Sequence, residues 1–240
     1  QKFGVHISVL KKIWRMKEKG VDLQGIQFHV SFNKDAAPYA EMIRLIASYI
    51  QKNFTNKEKD EVRFFDFGGG FRPYQNEGYY FQTSSKTYRL TEAVPIKKYA
   101  EGIEEAIEKN IRPLIKNAEY YAEPGRVLSN DSMHILLQVA DKKNKNHVVM
   151  DGGVNMVGWE RYSYDYCPVL NISNPSLSEK NCVMYGSLCL SGDMDNWGYH
   201  VFAKKIEVGD IFVVPNQGCL TYSLAQNFIH PIPPVYRLPE

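Results

Sequence analysis

Long apolar runs, paired cysteines and an excess of either charge are all missing from this sequence. No stretch approaches the roughly 20 apolar residues of a membrane span, and no secretory leader is recognisable. With 29 basic residues against 27 acidic ones, there is no electrostatic case for a nucleic acid or an anionic membrane as partner. Cys167, Cys182, Cys189 and Cys219 are scattered without a C-x-x-C pair, so neither a zinc site nor a disulfide framework is indicated. A reducing, cytoplasmic setting is the expectation. No internal repeat or low-complexity tract is visible. The 240 residues suffice for one large domain or two modest ones. The chain starts at Gln1, without an initiator methionine and in mid-motif, and is expected to be a piece of a longer protein.

What is present centres on Arg63 to Phe71, R-F-F-D-F-G-G-G-F. The aromatic run around Asp66 reads as a buried strand that stops at Gly68. Gly68, Gly69 and Gly70 offer backbone N–H groups with no Cβ in the way, which suits a phosphate cradle at a strand end. A plain strand-to-loop turn is the competing reading of a glycine triplet on its own.

In chain order, Val9, Leu10, Ile13 and Met16 recur at helical spacing in a short helix that Gly20 ends. A strand is predicted from Gly25 to Val30, then a helix from about Ala36 to Gln51 with Ala40, Ile43, Ile46, Ala47 and Ile50 on one face. The polar stretch Asn53 to Glu61 reads as a solvated loop. Arg72 to Pro95 is Tyr-rich and irregular, as a long active-site loop or insertion would be. A helix over about Ile96 to Lys109 directs Tyr99, Ile103, Ala106 and Ile107 inward, and Tyr120 to Ala122 forms a strand ending in Glu123-Pro124-Gly125-Arg126.

Strands alternating with helices predict parallel βα units, whose functional residues lie at the C-terminal strand ends. His29, the glycines and Glu123 all fall there. After Val127 come short apolar runs divided by turns: His134–Val139, His147–Met150, Cys182–Tyr185 and Ile211–Pro215. An all-β region is expected from there, so residues 1–128 form one expected domain and 129–240 a second.

The blocks K-F-G, F-H-V-S, D-F-G-G-G-F, E-P-G-R, D-G-G-V-N, Y-D-Y, G-S-L-C-L-S-G-D and N-Q-G follow one another in this order over nearly the whole chain. In that order the chain resembles the pyridoxal-phosphate-dependent ornithine/diaminopimelate/arginine decarboxylases, on the alanine-racemase-like fold. The resemblance implies an α/β plus all-β fold: the C-terminal part of a (β/α)8 barrel followed by a β-sandwich or β-barrel domain. It implies pyridoxal 5'-phosphate as cofactor, an amino acid as substrate, and a homodimer with shared active sites.

By the same resemblance, Glu123 faces the pyridine nitrogen, where a carboxylate stabilises the protonated ring by ion pairing. Arg126 joins Gly68 to Gly70 at the phosphate with Ser31, and His29 stacks on the ring. Cys189 enters from the other subunit and returns a proton to Cα, a task suited to a thiol. Asp165 and Asp193 are expected to meet the substrate. Taken singly, the histidine is a structural residue, the cysteine a small buried hydrophobe and the acid before proline a surface turn.

The chain departs from the family pattern at four places. Leu190 stands where an acid usually pairs with the distal amine of the substrate. Leu220 stands where a tyrosine usually bonds the phosphate, with Tyr222 as its expected substitute. His29-Val30-Ser31 runs into Phe32 without the usual glycine. The cofactor-anchoring lysine of the family lies before the K-F-G block, and Lys2 is not that lysine, so this portion is expected to be inactive alone. Two alternatives stay open beside the decarboxylase: a non-catalytic homologue that binds a partner, and a racemase on the same fold. Polyamine precursors, diaminopimelate and siderophore-type intermediates are all admissible substrates.

Overall fold

The computed structural model of the chain describes residues 3–74, 78–82, 87–90, 92–156, 165–166, 168–190, 193, 200–218 and 221–239. It forms two compact units, Gln1–Tyr74 with Ala93–Val127, and Gln75–Glu92 with Leu128–Glu240. Among the described residues no helix is long and apolar enough to cross a membrane.

The first unit is built on three short parallel strands in the order β1 (Gly25–Gln27), β2 (Phe64–Asp66), β5 (Glu119–Tyr121). Parallel neighbours need a crossover, and helices supply it here, after a first short helix α1 (Leu10–Trp14). Helix α2 (Ala37–Asn53) carries Pro38 in its first turn, where a missing N–H costs nothing. It buries Tyr39, Ile43, Ile46, Ala47 and Ile50 at helical spacing. Helix α4 (Ile96–Asn110) starts after Pro95 and buries Tyr99, Ile103, Ala106 and Ile107. These faces meet Ile26, Phe28, Phe65 and Phe67 of the sheet in one core, each large apolar side chain contributing about 1.5–3 kcal/mol.

Two segments differ from the expectation. The polar link after α2 contains a helix, α3 (Asn56–Asp60), because Thr55 and Glu58 form a reciprocal capping box at its start. The Tyr-rich stretch holds two antiparallel strands, β3 (Gly78–Gln82) and β4 (Thr87–Leu90), rather than an irregular loop. Aromatic and β-branched residues favour a pleated surface over coil there. Strand β3 also pairs with β8 (Asp165–Tyr166).

The second unit is dominated by a seven-stranded mixed sheet. Its longest strand is β6 (Ile135–Asn144), whose first residues alternate buried and exposed, flanked by β7 (His147–Met150) and the central β13 (Ile211–Val214). Strands β9 (Val169–Asn171), β10 (Glu179–Asn181), β11 (Val183–Tyr185) and β12 (His200–Phe202) complete it. Leu137, Val139, Val148, Met150, Val169, Met184 and Phe212 fill its separate core.

Candidate active site

Register sets the site in the first unit. Gln27, Asp66 and Tyr121 are aligned across β1, β2 and β5. Two residues beyond that row, His29, Gly68 and Glu123 leave the three strands together. The backbone stays stitched past the strand ends: Phe28 N–H donates to Asp66 O (3.0 Å), Phe67 N–H to Tyr121 O (2.9 Å) and Glu123 N–H to Gly68 O (2.8 Å). Three candidate segments are thereby fixed side by side at the C-terminal edge of the sheet.

The glycines are demanded by this close approach. Gly68 (φ +65°) and Gly70 (φ +89°) have left-handed backbones, and a Cβ would lie 2.5 Å from Phe28 O and 1.8 Å from Val30 O respectively. Their N–H groups are used unequally. Gly68 N–H donates to Asp66 Oδ1 (2.9 Å) and Gly69 N–H to His29 Nδ1 (3.2 Å). The triplet is thus only in part the open cradle expected of it, because two of its three donors hold the site's own side chains. Gly70 N–H has no acceptor among the described residues, and Gly125, beside Arg126, has open space where a Cβ would be.

Behind the turn stands a buried polar layer. The fully buried Tyr39 donates its hydroxyl to Gly69 O (2.7 Å). Tyr99 donates to Asn33 O, Asn33 N–H donates to Gly70 O (2.9 Å) and Arg72 N–H to Asn33 O (3.1 Å). Burial pushes both phenols up to about 12, so they serve as neutral donors. The layer ties the segment after His29 to the glycine turn.

The residue that sequence reading missed is Asp66. Its carboxylate lies beside Glu123: the charge of Asp66 foremost, then desolvation at the strand ends, pushes the Glu123 carboxyl above its ordinary range, while His29 pulls it down. A signal was present: an acid inside F-F-D-F is costly to leave unpaired and so points to a partner. Ser31, also expected at the phosphate, lies exposed beyond His29, next to Phe32, whose φ of 60° is unusual for a bulky residue. Arg126 opens the short helix Arg126–Ser129.

The remaining candidates lie in the second unit. Cys189 is exposed. Asp193, expected at the substrate, is 3% exposed, with Oδ1 accepting Val154 N–H (2.6 Å) and Oδ2 accepting Leu188 N–H (2.8 Å). Both oxygens are committed to backbone donors, so its carboxylate is not presented outward. Tyr222 is exposed in the helix Thr221–Leu224, which packs against the Val154–Met156 turn. Asp165 pairs through its backbone with Tyr79. Its side chain, like Tyr164, Cys219 and Leu220, lies outside the described residues.

Residues 1–130, more than half of the chain, match the pyridoxal-dependent decarboxylases in their pyridoxal binding domain. The chain belongs to that family. It is 25% identical over 218 residues to the diaminopimelate decarboxylase of Bacillus methanolicus, covering 87% of this chain and 46% of that protein. Among solved structures, the diaminopimelate decarboxylase of Helicobacter pylori complexed with L-lysine superposes with a TM-score of 0.71 at 24% identity, over 94% of this chain and 52% of that one. The arginine decarboxylase of Paramecium bursaria Chlorella virus gives a TM-score of 0.73 at 18% identity, over 97% and 59%. The chain spans about half the length of the relatives it matches. Its fold is theirs: part of an α/β barrel followed by an all-β region.

The first unit fits the family's cofactor. A protonated pyridine ring needs a carboxylate, a flat face and an anion cradle. The chain offers Glu123 with Asp66 beside it, the His29 ring held by Gly69, and a cradle without side chains at Gly70 and Gly125 beside Arg126.

Proposed function

We propose that the protein carrying this chain is a pyridoxal-phosphate-dependent decarboxylase that removes the α-carboxyl group of an amino acid. The observation that carries the reading is the convergence of His29, the Gly68–Gly70 turn and Glu123 at adjacent strand ends, with Asp66 beside Glu123, in a family that binds pyridoxal. When bound, pyridoxal phosphate supplies a protonated ring that accepts the electron pair left at Cα as the carboxyl group departs. Glu123 holds the ring nitrogen, and the neighbouring charge of Asp66 raises its carboxyl. His29 orients the ring. Gly70, Gly125 and Arg126 receive the phosphate, with Ser31 and Tyr222 as further donors.

The net reaction releases carbon dioxide and takes up one proton at Cα. Cys189 gives that proton from its thiol and recovers one from water. In line with the family resemblance, Cys189 serves the site of a second copy, which makes the active species a homodimer. Asp165 reads the far end of the substrate. Leu190 cannot pair with a cation, which favours substrates whose distal group is not a simple ammonium. Decarboxylases of diaminopimelate, arginine and lysine/ornithine among the relatives mark the substrate class to screen.

The experiment is the release of carbon dioxide from these amino acids by the protein with added pyridoxal phosphate, comparing wild type with Cys189→Ala. The expected result is a loss of turnover of roughly 100-fold with cofactor affinity retained. Equal turnover in the two proteins on every substrate would remove Cys189 from the mechanism.

The departure at Leu190 favours one second reading, a non-catalytic homologue. Such a protein would leave the absorbance of added pyridoxal phosphate unchanged.

A further inference from the structure

Cys189 sits between two residues that are both tied to Asp193. Leu188 N–H donates to Asp193 Oδ2 (2.8 Å), and Asp193 N–H donates to Leu190 O (3.0 Å). The other carboxylate oxygen takes Val154 N–H (2.6 Å), and Asp193 O accepts Gly186 N–H (2.8 Å). A single residue, its carboxylate bridging Leu188 and Val154 and its backbone holding Leu190 and Gly186, thus closes the turn around the thiol.

The surroundings are shaped for this carboxylate. A Cβ on Gly186 would lie 2.0 Å from Asp193 Oδ2, and one on Gly153 would lie 2.5 Å from it. Glycine is required at both places because the acid occupies the space. The turn it grips, Val154–Met156, also carries the helix Thr221–Leu224, with Gln226 N–H donating to Asn155 O (3.0 Å). Three sequence blocks far apart in the chain, D-G-G-V-N, G-S-L-C-L-S-G-D and the segment after N-Q-G, therefore meet at the Val154–Met156 turn.

We propose that Asp193 is a positioning residue for Cys189: its carboxylate clamps the Leu188–Leu190 turn onto Val154 and so fixes how the thiol is presented. The proposal rests on the reading of Cys189 given above for its catalytic consequence, but the clamp can be tested without it. An acid is needed because only an acceptor with two oxygens and no hydrogens satisfies N–H groups from both sides. In Asp193→Asn one of the two backbone donors faces an amide N–H instead.

The test has three arms in the intact, cofactor-loaded protein. Amide hydrogen exchange of the wild type reports the clamp directly: Leu188 and Val154 N–H are expected to exchange at least about 100-fold more slowly than exposed turn amides. Alkylation of Cys189 by iodoacetamide, followed by peptide mass spectrometry, is expected to change roughly threefold or more in Asp193→Asn. Cys182, fully buried, stays unmodified as the control for unfolding. Turnover of the variant is expected to fall about tenfold with KM and cofactor affinity within about twofold of wild type.

Unprotected Leu188 and Val154 amides would overturn the proposal even if the variant did not fold. So would a folded variant with wild-type alkylation and turnover, or one that raised KM alone, which would return Asp193 to the substrate. If Cys189→Ala left turnover unchanged while exchange and alkylation behaved as expected, the clamp would stand and the proton-return reading would fall.

Discussion

Glu123 N–H donates to Gly68 O (2.8 Å), which holds Glu123 beside Asp66 at the end of the neighbouring strand. The charge of Asp66 foremost raises the Glu123 carboxyl above its ordinary value of 4.5. In the chemistry proposed here Glu123 stands where a pyridine nitrogen must be kept charged. Asp66 Oδ1 also accepts Gly68 N–H, so the same residue braces the glycine turn.

Asp66→Asn removes the charge that raises Glu123. The expected outcome is a Glu123 that ionises at lower pH, read from its carboxyl carbon shift in an NMR titration. A titration unchanged by the substitution would show that the pair does not interact. The sign for stability follows from linkage. A carboxyl raised by folding stabilises the fold at pH below its ordinary value of 4.5, and the contribution is lost as pH rises through the raised value. Melting temperatures measured across that window are expected to show a pH-dependent decline in wild type that is weaker in Asp66→Asn. Glu123 is exposed, so the effect is small.

Gly70 and Gly125 are expected to part company under substitution by alanine. At Gly70, with φ +89° and Val30 O only 1.8 Å from the new Cβ, the backbone must move. A cost of roughly 2–4 kcal/mol in chemical denaturation is expected. At Gly125 nothing lies within 4 Å of the Cβ, so stability changes by less than about 0.5 kcal/mol. Its affinity for pyridoxal phosphate nonetheless falls, as fluorescence titration would read. Equal stability losses at the two positions would contradict the packing described here.

Tyr39→Phe deletes the hydroxyl that satisfies Gly69 O in a fully buried place. A carbonyl left without its donor is expected to cost about 1–2 kcal/mol. Because the same peptide unit borders the His29 contact, weaker cofactor binding should accompany the stability loss. A neutral effect on both would mean that the glycine turn holds itself.

Much of this was legible in the sequence, for identifiable reasons. Helices α2 and α4 have long 3.6-residue periods that no short strand competes with, and their inward residues were correct nearly to the position. His29, Gly68 and Glu123 were readable as strand-end residues because parallel βα units place function there. The misses share another cause. Helix α3 is too short to show a period and is announced only by Thr55 and Glu58. Strands β9, β10 and β12, of three residues each, carry too few positions for alternation to register. Asp66 was passed over and Asp193 was expected at the substrate because a carboxylate's surroundings are decided by what tertiary structure brings to it: Glu123 in one case, Val154 and Leu188 amides in the other. The family's order of blocks located both acids without revealing that Asp193 faces inward.

The central claim, that these strand ends hold pyridoxal phosphate for decarboxylation with Glu123 at its nitrogen, meets its most direct test in one comparison. Wild type and Glu123→Gln would be loaded with pyridoxal phosphate, and carbon dioxide release measured from diaminopimelate, arginine, lysine and ornithine. The account predicts cofactor-dependent release from at least one of them by wild type, and a fall of roughly 100-fold or more in Glu123→Gln, whose amide cannot pair with a charged ring. Undiminished release by Glu123→Gln, or wild type that neither perturbs the cofactor's absorbance nor releases carbon dioxide from any of the four, would contradict it.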